Sequence, residues 1–168
     1  MKTALVFGSS GIIGWQLLYQ LIENDNYNKI KLFVRSDTSI NEPKIEIIKT
    51  DFNDLENYKE DIKGDDCFFC IGTTKQNSPD KNEYQKVELD IPKKIAQIAR
   101  TNSVNSFIFI SSIYANSKSS GDYVKFKGLV EEELKKLNFS NLGILRPSFL
   151  MGYRKENRAG EKIGILTF

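Results

Sequence analysis

The stretch "GSSGIIG" sets Gly8, Gly11 and Gly14 at three-residue intervals between two segments of opposite character. Before it, "TALVF" is β-branched and aromatic, which predicts a strand. After it, "IIGWQLLYQLIEN" carries apolar residues at Ile13, Leu17, Leu18, Leu21 and Ile22, the spacing of one helix face. A strand, a glycine turn and a helix in that order restrict the chain to few architectures. Gly8 permits the tight turn, Gly11 lets backbone approach a pyrophosphate, and Gly14 lets the helix pack closely on the sheet. The helix N-terminus then offers free N–H groups to the anion. Alone, a glycine-rich turn is a weak signal, and a turn without a ligand is the plain alternative. In this position it points to a dinucleotide, with Gly8, Ser10, Gly11, Ile12, Ile13 and Gly14 as cofactor-binding candidates.

The rest of the chain repeats the alternation. "KIKLFVR" and "KIEIIKT" predict strands two and three, "DLENYKEDIKG" a short polar helix ending at Gly64, and "DDCFFCIG" strand four. A long helix is expected over roughly 83–101, kinked or broken near Pro92. "NSFIFISS" is strand five, "YVKFKGLVEEELKKLN" the next helix and "NLGILRP" strand six. Strands alternating with helices imply a doubly wound, Rossmann-like parallel α/β sheet of order 3-2-1-4-5-6, with helices on both faces. Ligands then bind at the carboxyl ends of the strands.

Bulk properties remove other classes. The 168 residues suit one domain over 1–168, and the net charge of +2 comes from acids and bases mixed along the chain. That is no nucleic-acid stripe, and no apolar run approaches the roughly 20 residues that span a bilayer. Expected partners therefore exclude nucleic acid and membrane. The N-terminus is basic then apolar, like a signal peptide, but glycine and serine interrupt the run, so a cytoplasmic location is expected. With no histidine, the commonest metal ligand and every histidine-dependent triad are gone, and no metal site is expected. Cys67 and Cys70 form C-x-x-C inside an apolar strand, where residues three apart face opposite ways, so burial is expected rather than a disulfide.

Strand ends discriminate further. Arg35 and Ser36 close strand two, about 20 residues after the glycine loop, where an acid would bind the ribose 2′-hydroxyl of NAD. A guanidinium suits a 2′-phosphate instead, which favours NADP over NAD; a solvated arginine is the alternative. Asp51, beside Phe52 at the end of strand three, could accept from an adenine amino group or cap the following helix. Ser111 and Ser112 end strand five, and Tyr123 and Lys127 follow four residues apart on one helix face, whereas Lys125 points elsewhere. A phenol titrating near 10 is a poor catalyst at neutral pH. A lysine cation about 4 Å away, at an effective dielectric near 20, favours the phenolate by roughly 4 kcal/mol at most. Ser112 would hold a carbonyl or alcohol beside it, and the glutamates at 131–133 are expected mostly on the helix's wet side.

Together "VFGSSGIIG", "ISS", "YVKFK" and "LRPSFLMG" resemble the atypical or extended branch of the short-chain dehydrogenase/reductases. "CIGTTKQ", "SSIYANSKS", "KGLVEEEL" and "RPSFLMGYRKENRAGE" resemble its Tat-interacting oxidoreductase-like, NAD(P)-binding group. The resemblance implies Tyr123 as general acid/base, Lys127 on the nicotinamide ribose, and Ser112 rather than Ser111 orienting substrate. It also implies Gly72 and Thr73 along the cofactor, with Pro147 and Ser148 beside the nicotinamide. The implied activity is hydride transfer between NADP(H) and a small carbonyl or alcohol, and the superfamily's frequent dimers make a homodimer an expected partner. Alternatives are a cofactor-binding regulator or scaffold without turnover and, with less support, a sugar-nucleotide epimerase. Group members usually continue past "RPSFLMG" with further helices, so a chain ending at Phe168 is expected to have a short or missing substrate-pocket part.

Overall fold

The computed structural model describes residues 1–148. Six strands form one sheet: β1 (Lys2–Phe7), β2 (Tyr27–Val34), β3 (Ile45–Lys49), β4 (Asp66–Phe69), β5 (Ser106–Ile110) and β6 (Asn141–Leu145). All neighbouring pairs are parallel, in the order β3-β2-β1-β4-β5-β6, as expected. Four α-helices connect them: α1 (Ile12–Glu23), α2 (Lys81–Gln85), α3 (Ile91–Thr101) and α4 (Asp122–Lys136).

The sheet is buried on both faces, which explains why β1 and β5 are apolar almost throughout. On one face Leu18 and Leu21 of α1 pack on Ala4, Val6, Ile30 and Leu32. On the other, Ile95, Ala96 and Ala99 of α3 and Val130 and Leu134 of α4 cover Leu5, Phe7, Phe69, Phe107 and Phe109. Near the carboxyl ends, register places Phe33, Phe7, Phe69 and Phe109 side by side across four strands. Their ring centroids are 4.2, 6.0 and 6.1 Å apart in turn. Each such pair adds about 0.5–1.5 kcal/mol beyond area burial. This aromatic row is the floor beneath the strand ends. Phe52 joins it 6.4 Å from Phe7, held at φ 60°, a left-handed value that bulky residues rarely adopt.

Two helices differ from expectation. The polar segment after β3 forms only a 3₁₀ turn over Leu55–Tyr58, capped by Asp54, whose carboxylate accepts from the Glu56 N–H. The long helix is interrupted as expected, but ahead of the proline. A π-helical turn over Lys86–Asp90 separates α2 from α3, and Pro92 sits in the first turn of α3. Proline is tolerated there because that N–H has no intrahelical partner. The interruption falls beneath the strand ends, where π turns frequently serve function. Residues 149–168, including the "LMGYRKENRAGE" part of the resemblance, lie outside the described residues.

Candidate functional site

The glycine loop follows β1 directly. Gly8 adopts φ +88°, and a Cβ there would meet the Cys70 carbonyl carbon at 2.7 Å. A Cβ on Gly14 would lie 2.0 Å from the Gly8 carbonyl oxygen, so α1 presses against the turn as the spacing predicts. Around Gly11 space is open, with its nearest neighbour 3.6 Å from the Cβ position. Gly11 is also the N-cap of α1, with no side-chain cap and no acid in the first turn. The positive end of the helix dipole is therefore left to an anion. Ser10 is exposed and Ile12 and Ile13 are half-buried at the helix start. Backbone, spacing and dipole all fit a dinucleotide pyrophosphate.

Arg35 and Ser36 are exposed just past β2. The acid two residues on, Asp37, is paired with Lys49 at 2.9 Å. Asp51 is not the helix cap. Both its oxygens accept from Asn53, through the backbone N–H at 2.9 Å and Nδ2 at 2.8 Å. Those bonds hold its carboxyl below the usual range. The Phe52 N–H donates to Thr50 Oγ1 at 3.1 Å.

Tyr123 opens α4 and is 38% exposed, while Lys127 one turn later is buried at 3%. The Lys127 Nζ lies 5.9 Å from the Tyr123 ring centroid and 4.9 Å from that of Phe109, and donates to the Ile110 carbonyl at 3.2 Å. Lys125 is exposed, as the four-residue spacing predicts. Lys127 is not a bare cation, however: its Nζ stands 3.1 Å from Glu88 Oε2, with both side chains buried. Tyr123 therefore faces an ion pair, whose field is weaker than that of the free lysine expected from sequence. Glu88 also accepts the Thr73 N–H at 2.5 Å, joining the loop after β4 to the π turn. A Cβ on Gly72 would sit 3.4 Å from Glu88 Oε1 and 4.0 Å from Lys127 Nζ.

The two serines separate clearly. Ser111 Oγ donates to Glu131 Oε1 at 2.5 Å, which commits it to the fold, and Ser112 is buried at the strand end with no such tie. Glu131 corrects the expected wet face. It is 2% exposed and takes a bidentate bond from Arg146, at 2.9 Å from Nε and 2.5 Å from Nη2. Burial pushes its proton affinity up, but the Arg146 and Ser111 bonds outweigh that and leave its carboxyl below the ordinary range. This pair fixes the end of β6, where the Pro147 carbonyl accepts the Ile113 N–H at 3.2 Å; Ser148 is exposed. A carboxyl whose folded value is depressed stabilises above its ordinary range and loses that contribution as pH falls through the folded value. Glu131→Gln is therefore expected to lower stability by about 2 kcal/mol at neutral pH, because Arg146 is half-exposed and solvent screens the pair. Denaturant melts should show that difference shrinking below about pH 4.

Sequence reasoning missed Glu88 and Glu131. Glu88 stands three and seven residues before Ile91 and Ile95, on the apolar face, and Glu131 follows Lys127 by one turn. An acid on an apolar stripe was the available signal. The cysteines are free, and burial drives Cys67 well above the ordinary thiol range and Cys70 to about 12, opposed at Cys70 by Lys127. Neither is a reactive thiolate. Among the described residues there is no cluster able to hold a metal ion.

The profile of the family described as NAD(P)H-binding matches residues 8–161. Protein HTATIP2 of Rattus norvegicus is 30% identical over 164 residues, covering 95% of this chain and 67% of that protein. Protein FMP52-1, mitochondrial, of Scheffersomyces stipitis is 29% identical over 174 residues, covering 99% and 76%. The Bordetella bronchiseptica enzyme WbmH in complex with NAD+ superposes with a TM-score of 0.71 at 15% identity, over 87% of this chain and 56% of that one. The UDP-N-acetylglucosamine 4-epimerase of Methanobrevibacter ruminantium, in complex with UDP-N-acetylmuramic acid, gives 0.70 at 21%, over 86% and 54%. The chain thus spans about two thirds of the rat relative and little over half of the solved enzymes. Among the described residues no helix is long and apolar enough to cross a membrane. The yeast relative carries a mitochondrial name, so the comparisons do not bear out a cytoplasmic location. By profile and by sequence, this chain belongs to the NAD(P)H-binding family on the extended short-chain dehydrogenase/reductase fold.

Proposed function

We propose that the chain is an NADP(H)-dependent oxidoreductase acting on a small carbonyl or alcohol, with Tyr123 as the general acid/base. The observation that carries the reading is the convergence of Tyr123 and Lys127, 5.9 Å apart from ring to Nζ, where β5 ends. When bound, the nicotinamide supplies or accepts the hydride. The α1 N-terminus and glycine loop hold the pyrophosphate, and Arg35 takes the 2′-phosphate, since its guanidinium has no ion pair or hydrogen bond among the described residues. Ser112 orients the substrate oxygen, and Tyr123 gives that oxygen a proton in reduction or removes one in oxidation. The phenolic position, part exposed, leaves room for a substrate to reach it.

The second reading, a cofactor-binding regulator without turnover, gains from the Glu88 carboxylate that compensates Lys127. An epimerase has the support of shared fold alone. Incubating the full chain with NADPH and a panel of aldehydes and ketones tests the choice. Oxidation of NADPH by at least one panel member supports the enzyme. Tight NADPH binding with none consumed supports the regulator and overturns the proposal.

A further inference from the structure

The loop that follows β5 presents apolar side chains where a polar surface is ordinary. Ile113 is 45% exposed and Tyr114 76%, directly after Ser112, and the part-exposed Tyr123 stands where the loop enters α4. Backbone bonds hold that exposure in place. The Ala115 N–H donates to the Ser112 carbonyl at 3.0 Å, which makes Ile113 and Tyr114 the central residues of a closed turn. The Ile113 N–H is tied to the Pro147 carbonyl after β6, and the Asn116 N–H donates to the Val124 carbonyl, beside Tyr123, at 2.9 Å. Behind the turn, a Cβ on Gly128 would meet the Ser117 nitrogen at 2.2 Å, so the loop lies close on α4. Ordered apolar side chains left in water next to Ser112 and Tyr123 mark a surface for the apolar body of a ligand.

The charges around the turn are paired. Lys127 faces Glu88 at 3.1 Å, Arg146 is held by Glu131, and Asp122, next to Tyr123, lies 3.3 Å from Lys75. Glu132 accepts from Ser117 Oγ. Two further cations are exposed: Lys125 points outward, and Lys118 lies beyond the Asn116 anchor, its N–H bonded to Asn116 Oδ1 at 2.9 Å. A carboxylate or phosphate on the substrate would therefore lose water without gaining a free cation.

We propose that the substrate is an uncharged carbonyl compound with an apolar body, which lies on Ile113 and Tyr114 and directs its oxygen to Ser112 and Tyr123. This rests on the oxidoreductase reading above and narrows it to one substrate class. In reduction the carbonyl carbon receives the hydride, NADPH leaving as NADP+, and the oxygen receives the Tyr123 proton, which gives the alcohol. The phenol then recovers its proton from water.

Steady-state kinetics of the full chain with NADPH, benzaldehyde and 4-carboxybenzaldehyde test this, because the two aldehydes differ by one charge. The ratio kcat/KM is expected to favour benzaldehyde by at least about tenfold. Tyr114→Ala and Ile113→Ala, both at exposed positions, should each raise KM for benzaldehyde about three- to tenfold, with kcat and NADPH affinity changed by less than about twofold. Titrating the NADP+-loaded chain with benzamide, a neutral aryl carbonyl that is not reduced, reads the same surface without turnover, and both variants should weaken its binding by a similar factor. Equal or better turnover of the carboxylated aldehyde overturns the inference and leaves the enzyme reading standing. Unchanged KM and benzamide affinity in both variants also overturn it, and assign the turn to a protein partner or to another segment of this chain. NADPH bound with no carbonyl consumed removes the enzyme reading and this inference together.

Discussion

Tyr123→Phe is expected to slow NADPH-dependent carbonyl reduction by about 10² to 10⁴-fold, the range for losing a positioned general acid. The change removes one oxygen from a part-exposed ring at the start of α4, so the fold and the Lys127–Glu88 pair stay in place. Affinity for NADPH should therefore change little. Lys125→Ala, two positions further along but outward-facing, should keep wild-type rates. Steady-state kinetics with both variants separate the two outcomes. A Tyr123→Phe protein that retains its rate would remove the phenol from the mechanism, and the proton would have to come from elsewhere.

Gly14→Ala carries the largest structural cost. The added methyl would sit 2.0 Å from the Gly8 carbonyl oxygen and 2.9 Å from the Ser9 Cα, and both are backbone. No side-chain rotation relieves such a contact, so α1 must move off the turn. Overpacking usually costs about 1–3 kcal/mol, and a clash this deep should reach the upper end or exceed it. Since α1 carries the N–H groups offered to the pyrophosphate, dinucleotide binding should fall in parallel. Thermal melts and NADPH titration check the two effects. Gly11→Ala is the control: its Cβ position is 3.6 Å from the nearest atom, so stability should hold while the approach of the anion is hindered.

The parts of this protein legible in its sequence are those governed by period and spacing. The alternation of apolar strands with amphipathic helices yields the sheet order, because parallel strands joined by right-handed crossovers leave few topologies. The glycine intervals yield the turn, and the four-residue step from Tyr123 to Lys127 yields their shared face. What was illegible depends on partners distant in the chain. Glu131 reads as one of three solvated acids until β6 brings Arg146 against it. Glu88 looks like an ordinary helical acid until the π turn shifts it toward Thr73 and Lys127. Asp51 reads equally as a helix cap until the structure gives that role to Asp54 and ties Asp51 to Asn53, two residues on. The 3₁₀ turn at Leu55–Tyr58 shows the same limit, since a polar segment of low periodicity carries too little apolar surface to extend a helix.

The central claim is a dinucleotide site completed by Arg35, and one measurement addresses it directly: the dissociation constants of NADPH and NADH for wild type and Arg35→Ala. A charge-assisted contact to the 2′-phosphate predicts NADPH tighter by about 10- to 100-fold, a preference that Arg35→Ala erases without weakening NADH. Equal affinity of wild type for both dinucleotides, or tighter binding of NADH, would contradict the account.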